Sequence, residues 1–160
     1  MEHKRTLMGI SLAVGLWLTG ALLAQVQEPL FGTWKMNAAR SNYSQGPVPK
    51  SNVAKWEAFD GGVKLTVDVV PVSGETQHYE SSGKFDSKDN PVIGNNPDAD
   101  TMAFSKLDAR TYEVVNKKGG KTTLTAHIVV AADGKTRITT QTGKSVQGET
   151  VKNTMFYEKQ

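Results

Sequence analysis

Hydrophobic and polar residues alternate along most of this chain. Between residues 63 and 69, valine or leucine occupies every second position, and lysine, threonine and aspartate stand between them. The same alternation recurs over residues 124–130 and 151–157. Successive side chains of a β-strand point to opposite faces of its sheet, so this pattern predicts strands with one buried face and one solvated face.

Glycine turns separate the alternating segments, at Asp60-Gly61-Gly62, Ser73-Gly74, Lys118-Gly119-Gly120, Asp133-Gly134 and Gln147-Gly148. Such dipeptides supply the positive φ that tight hairpins need. About nine segments are predicted as strands: 32–37, 53–59, 63–69, 77–85, 101–107, 112–116, 123–130, 136–142 and 151–157. Hairpins join neighbours antiparallel, twist accumulates along the meander, and closure removes its exposed edges. We therefore predict an all-β fold, an antiparallel up-and-down β-barrel of about 8–9 strands.

Two segments interrupt the alternation. Residues 37–50 contain two prolines and a glycine, and are predicted to form a long loop with room for one helical turn. Residues 86–100 also contain prolines and asparagines, and are predicted to form a second irregular connection. Loops of this length in a compact domain often serve a function, although a plain surface excursion is the alternative.

The N-terminus has the pattern of a bacterial signal peptide. Lys4 and Arg5 precede an apolar run over residues 7–23, and Ala24 supplies a small residue for cleavage. This pattern predicts a signal peptide over residues 1–24 and an exported protein, periplasmic or secreted, without a membrane span after cleavage. An uncleaved N-terminal anchor is the alternative, because the run reaches the lower edge of the ~17–25 residues that span a bilayer.

Residues 25–160 are predicted to form a single domain, since about 136 residues lie within the usual size of one domain. The chain has no cysteine, so an exported domain must be stabilised by its core alone. The net charge of +3 is a small excess rather than a basic patch. The pair Lys117-Lys118 stands beside a glycine turn, as expected of a solvated hairpin tip, so no nucleic-acid partner is predicted.

The start of this domain resembles a known group of proteins. Residues 31–43 read Phe-Gly-Thr-Trp-Lys-Met-Asn-Ala-Ala-Arg-Ser-Asn-Tyr. This run is similar to the G-T-W-K-x-N-x-x-x-S-x-Y opening of secreted bacterial lipocalin-like (calycin-type) proteins of unknown function. Residues 91–100 and 157–160 resemble the same group. The resemblance implies a lipocalin-like barrel over residues 25–160 and no particular activity.

Lipocalins proper have two further signatures besides the opening glycine and tryptophan. The first, a T-D-Y-type turn, is missing in this chain. The second, an arginine near the last strands, has a counterpart in Arg137. The resemblance implies that Gly32 and Trp34 close one end of the barrel and that Arg137 packs over Trp34, a contact worth ~0.5–2 kcal/mol. It also implies that the first long loop lies across the opposite, open mouth. Glycine at position 32 would let the strand bend and another backbone approach.

His78 and Glu80 are the first candidates for chemistry, since their i, i+2 spacing fits a partial metal site or an acid–base pair. The face that holds Tyr79 and Ser81 is the better core candidate, which leaves His78 and Glu80 outside. An exposed cross-strand pair is therefore the favoured interpretation. His127 also alternates away from the apolar face of its strand.

Asn96, Asp98 and Asp100 have the spacing of the first ligands of a calcium loop. Thr101 then stands where the turn glycine should be, and Leu107 replaces the bidentate glutamate. An Asx turn before a strand is predicted instead. We predict no catalytic residue, no metal site and no cofactor.

Inward-facing aromatic, methionine and polar residues are the candidates for a ligand-binding cavity wall. They are Tyr79, Ser81, Phe85, Tyr112, Asn153, Met155 and Tyr157. The leading hypothesis is a binding or carrier protein for a small, largely apolar ligand. The alternatives are a filled barrel that acts as an envelope or protein-interaction module, and a barrel isomerase or hydrolase. An inward position of Ser81, Asn153 and Thr140 around a void would favour binding.

Overall fold

A computed structural model describes residues 28–160, and the predicted signal peptide lies outside them. The described chain forms ten β-strands and one short 3₁₀ helix, Ala38–Arg40. The strands are β1 Gly32–Met36, β2 Ser51–Phe59, β3 Gly62–Val70, β4 Gln77–Gly83, β5 Asp89–Gly94, β6 Thr101–Lys106, β7 Thr111–Lys118, β8 Lys121–Val130, β9 Thr136–Lys144 and β10 Thr150–Lys159. No helix among residues 28–160 is long and apolar enough to cross a membrane.

The ten strands close into a single antiparallel barrel. Each strand pairs with the next one along the chain, and β10 returns to pair with β1. The predicted all-β, antiparallel, up-and-down barrel is therefore confirmed, with ten strands rather than about 8–9. The inward positions of the strands carry the buried residues, as the alternation predicts.

The additional strand is β5, within the segment predicted to be irregular. It pairs with β6 over residues 89–91 and with β4 over residues 92–94. Pro91 has no N–H to donate, and Gly94 adopts a φ of +101° at its end. The alternation is lost here because the strand is short and interrupted, not because the chain leaves the sheet.

The two ends of the barrel differ. We call the end that holds Leu30, Trp34 and Tyr112 the closed end, because all three side chains are fully buried there. β1 starts at this end, so the antiparallel order places the loops 37–50, 71–76, 95–100 and 145–149 at the other end, which we call the open end.

The first long loop, residues 37–50, is fastened to the last strand. Its predicted helical turn is present as the 3₁₀ helix Ala38–Arg40. Beyond this turn, the Ser44 hydroxyl accepts a hydrogen bond from Lys152 N at 2.7 Å, and Ser44 N donates to Asn153 Oδ1 at 3.0 Å. These bonds hold the loop at the open end of β10.

Candidate ligand-binding cavity

The barrel encloses a cavity of about 360 Å³ that extends from the open end toward the closed end. Pro49, Pro71, Asn96 and Glu149 surround its mouth, and Arg137 lies toward its floor. The volume falls at the lower end of the ~300–1,000 Å³ typical of small-molecule sites. Apolar side chains form much of the wall: Ala54, Leu65, Val67, Val69, Met102, Val114, Leu124, Ala126, Ile128, Val151 and Met155.

Trp34 lies at the closed end, next to Arg137 at the floor of the cavity. Its indole N–H donates to Leu30 O at 2.8 Å, and its side chain is fully buried. The Arg137 guanidinium carbon lies 5.3 Å from the centre of the Trp34 ring, and Lys159 Nζ lies 5.1 Å from it. Both distances are within the range of cation–π contacts.

Gly32 stands at the start of β1 with a φ of +136°. The aliphatic part of Lys159 occupies the place where a Cβ would project. The sequence led us to expect another backbone at this point, and the structure has a side chain instead. Glycine is required for the positive φ and for room beneath Lys159.

Arg137 is a buried charge with few partners. Its side chain is only 3% exposed, and its guanidinium carbon lies 4.1 Å from the centre of the Tyr157 ring. Nη1 donates to Thr139 Oγ1 at 3.2 Å, whereas Nε has no partner. Within residues 28–160, no carboxylate forms a salt bridge with it. Burial lowers the pKa of Arg137 to about 10, which leaves the group charged at neutral pH.

Tyr43, Tyr79 and Tyr157 line the cavity as well. The Tyr43 and Tyr157 hydroxyls donate to methionine sulfurs, at 3.6 and 3.7 Å, and sulfur is a weak acceptor. The Tyr79 hydroxyl forms no hydrogen bond with another side chain or backbone group of residues 28–160. Burial raises the pKa of all three phenols, so each remains a neutral donor at physiological pH.

Three further lining residues carry buried polar atoms without a partner in the described protein. They are Asn52 Oδ1, Asn116 Oδ1 and Trp56 Nε1. A buried polar group left unsatisfied costs about 1–3 kcal/mol, so the wall offers both donors and acceptors to whatever enters. Asn52 and Asn116 continue the inward positions of β2 and β7, a signal that the alternation contained and that our sequence analysis missed.

Four of the predicted wall residues line the cavity: Tyr79, Asn153, Met155 and Tyr157. Ser81, Phe85 and Tyr112 are not among the residues that line it. Ser81 is buried beside the cavity, and the ring of Phe85 packs 5.6 Å from the ring of Tyr112. The Tyr112 hydroxyl donates to Glu28 Oε2 at 2.6 Å, away from the cavity. Alternation gives the face of a residue but not its height along the barrel.

The remaining candidates lie outside the cavity or at its mouth. His78 Nδ1 lies 2.7 Å from Asp68 Oδ1 in an exposed cross-strand pair, as predicted, and Glu80 pairs with Lys64 at 2.7 Å. Thr140, one of the positions that would favour binding if inward, lies outside on β9, beside the outward His127 of β8.

The predicted Asx turn is present at the open end. Asp98 N donates to Asn96 Oδ1 at 2.9 Å. Asp98 Oδ1 accepts from Val146 N at 3.0 Å, and Asp100 Oδ2 accepts from Gly119 N at 2.9 Å. These carboxylates therefore join neighbouring loops. Over the part of the chain that the structure describes, no group of three or more histidine and acidic side chains is placed to hold a metal ion.

No known family model matches the sequence, and no curated protein matches it either. Closed antiparallel barrels occur in several unrelated families, so the fold by itself does not identify one.

Proposed function

We propose that this protein is an exported, lipocalin-like barrel that binds a small, largely apolar molecule in its interior. The observation that carries the proposal is the cavity of about 360 Å³, which opens at the end opposite Trp34. A barrel of about eight strands is just wide enough to be filled by its own side chains, and the diameter grows with the number of strands, so a barrel of ten strands has room for a small ligand.

The wall of the cavity supports the same proposal. Leu65, Val67 and Ile128 offer an apolar surface, and the unpartnered atoms of Asn52 and Asn116 stand among them. An apolar pocket with a few fixed polar groups is the usual composition of a small-molecule site. The polar groups would orient a ligand whose remaining surface is apolar.

Export is the second part of the proposal. It rests on the pattern of residues 1–24, which is typical of a cleaved signal peptide. The intact mass of the protein recovered from the periplasm or the medium of its own host tests it. A mass that begins after Ala24 is expected, and a cytoplasmic protein that retains residues 1–24 would refute export.

A filled barrel that acts through its outer face is the second candidate. Val129 and Ile138 are paired across β8 and β9 on the outer surface, and they are 42% and 45% exposed. Two adjacent exposed apolar residues favour a small contact surface for a partner. This patch is independent of the cavity, so the two candidates can be separated by experiment.

The binding proposal is tested on protein purified from its own host. Native mass spectrometry, followed by organic extraction, should reveal a bound small molecule. A hydrophobic fluorescent probe should also bind the extracted protein and be displaced by the extract. A protein that carries no ligand and does not bind the probe would exclude the carrier function.

Two variants on adjacent residues of β8 provide the control. Ala126 lines the cavity, whereas His127 faces outward on the same strand. Ala126→Phe should fill the cavity and abolish probe binding, whereas His127→Phe should leave it unchanged. Equal binding by both variants would place the probe on the outer surface and favour the second candidate.

A further inference from the structure

We propose that the ligand carries a carboxylate group and that Arg137, at the floor of the cavity, is the residue that binds it. This inference rests on the proposed function, because it names the chemical class of the molecule in that cavity. It also gives the ligand a direction, with its charged group toward Trp34 and its apolar part toward the open end.

The first argument is the unpaired charge of Arg137. Charged groups that are almost fully buried are normally paired, because their removal from water is costly. The guanidinium has five N–H donors, and among residues 28–160 it donates only to Thr139, while no carboxylate lies within reach. The rings of Trp34 and Tyr157 offset part of the cost, but they do not neutralise the charge.

The second argument is the position of the group. Arg137 lines the cavity, so an anion that enters from the mouth can reach it. A guanidinium matches the planar, two-oxygen geometry of a carboxylate better than it matches a neutral hydroxyl. The acidic residues that line the cavity, Asp98 and Glu149, belong to the open-end loops, away from the floor.

The third argument is the set of phenol hydroxyls along the same wall. Tyr43, Tyr79 and Tyr157 line the same cavity, and the ring centre of Tyr157 lies 4.1 Å from the Arg137 guanidinium carbon. None of the three donates a hydrogen bond to an oxygen or nitrogen among residues 28–160. Tyr157 stands beside Arg137, so its neutral O–H can donate to an anion bound there, and a buried donor without a strong acceptor gains most from such a partner.

The apolar wall specifies the rest of the ligand. Leu65, Val67 and Val69 follow one another along β3 from the floor toward the mouth. An unbranched or compact apolar chain would lie against them once its carboxylate reached Arg137. The volume of about 360 Å³ favours a short to medium chain over a long one.

The test compares matched pairs of ligands by calorimetry. Hexanoate, octanoate and decanoate are each measured against the primary alcohol of the same length, on the full mature protein after extraction. The wild type should bind the best carboxylate at least about tenfold more tightly than its alcohol, because a charge-assisted hydrogen bond is the stronger one. Arg137→Met should abolish this preference and leave the affinity for the alcohol unchanged.

Arg40→Met is the matched control. Arg40 lies over the ring of Phe156 outside the cavity, at 3.4 Å from its centre, so its loss should not affect either ligand. Circular dichroism and thermal melting establish that each variant is folded. Tyr157→Phe, which removes only one hydroxyl beside Arg137, provides a second test and should weaken carboxylate binding several-fold without changing the affinity for the alcohol.

The outcomes separate the two proposals. Equal binding of carboxylates and alcohols to the wild type, or a preference that survives in Arg137→Met, would overturn the role of Arg137 while the cavity remains a binding site. Failure of every ligand and of the hydrophobic probe would overturn the proposed function itself, and this inference with it.

Discussion

Trp34 combines three contacts at the closed end of the barrel. Its ring is fully buried, its N–H donates to the Leu30 carbonyl, and two cationic side chains approach it. A residue in this position contributes to stability both by the volume that it fills and by the hydrogen bond that it forms. The loss of unfolding free energy on its substitution therefore measures how much the closed end contributes to the stability of the barrel.

We expect Trp34→Ala to lower the free energy of unfolding by about 3–5 kcal/mol, because it leaves a cavity and an unpaired carbonyl. Denaturant unfolding measures the change. Phe59→Ala is the control, since Phe59 is 52% exposed and its loss should change stability by no more than about 0.5 kcal/mol. An unchanged midpoint for Trp34→Ala would remove Trp34 from the core.

Replacement of Arg137, unlike that of Trp34, should change the free energy of unfolding very little. Its charge is buried without a carboxylate among residues 28–160, so replacing it with an apolar side chain removes a desolvation cost along with its cation–π contacts. We expect the unfolding free energy of ligand-free Arg137→Met to stay within about 1 kcal/mol of the wild type. A loss of the size expected for Trp34→Ala would show that Arg137 serves mainly the structure.

At the scale of the element, β5 differs from the other strands. Its pairing with β6 ends at Pro91, and its pairing with β4 begins at Val92. By contrast, β2 and β3 pair along their full lengths, from Ser51 with Val70 to Phe59 with Gly62. A strand held by short segments on each side opens more readily than one held along its length.

Native-state hydrogen exchange should therefore detect faster exchange in β5 than in β2 and β3. The amides of residues 92–94 bear most directly on this expectation, since Val92 N donates to Asp100 O rather than to a strand neighbour. Amides on β7 and β8 serve as the internal reference. Equal protection in β5 and in the long strands would mean that the barrel opens only as a whole.

At the scale of the whole molecule, the tyrosines make the folded state sensitive to high pH. The chain has four tyrosines, and burial raises the pKa of every one of them: Tyr43, Tyr79, Tyr112 and Tyr157. The unfolded chain releases these protons near pH 10, where the folded protein still holds them. Stability should therefore fall as the pH rises above about 10.

Arg137 has the opposite effect on how stability changes with pH above about 10. Its pKa is lowered to about 10, so above this value the unfolded chain binds its proton more tightly than the folded protein does. One such group does not outweigh four phenols. We expect the ultraviolet absorbance of tyrosinate to appear together with the loss of the β-sheet circular dichroism signal, in one cooperative transition. Gradual ionisation near pH 10 in a protein that remains folded would contradict the burial of these hydroxyls.

The sequence by itself determined nine of the ten strands and the faces of their residues. The inward positions of Tyr79, Asn153, Met155 and Tyr157 follow from an alternation that is a local property of the backbone. The antiparallel barrel follows as well, because glycine turns of two or three residues leave adjacent strands no other way to pair.

Only the tertiary structure decided which inward residues meet at the cavity. The rings of Phe85 and Tyr112 pack together toward the closed end, and Ser81 pairs with the lining residue Leu65 without lining the cavity itself. Contacts of this kind depend on how whole strands are placed against one another. The pairing of β5 depends on neighbours on both sides in the same way. The isolation of Arg137 is the clearest case, because whether a carboxylate among residues 28–160 pairs with it depends on all the strands around it and not on its own.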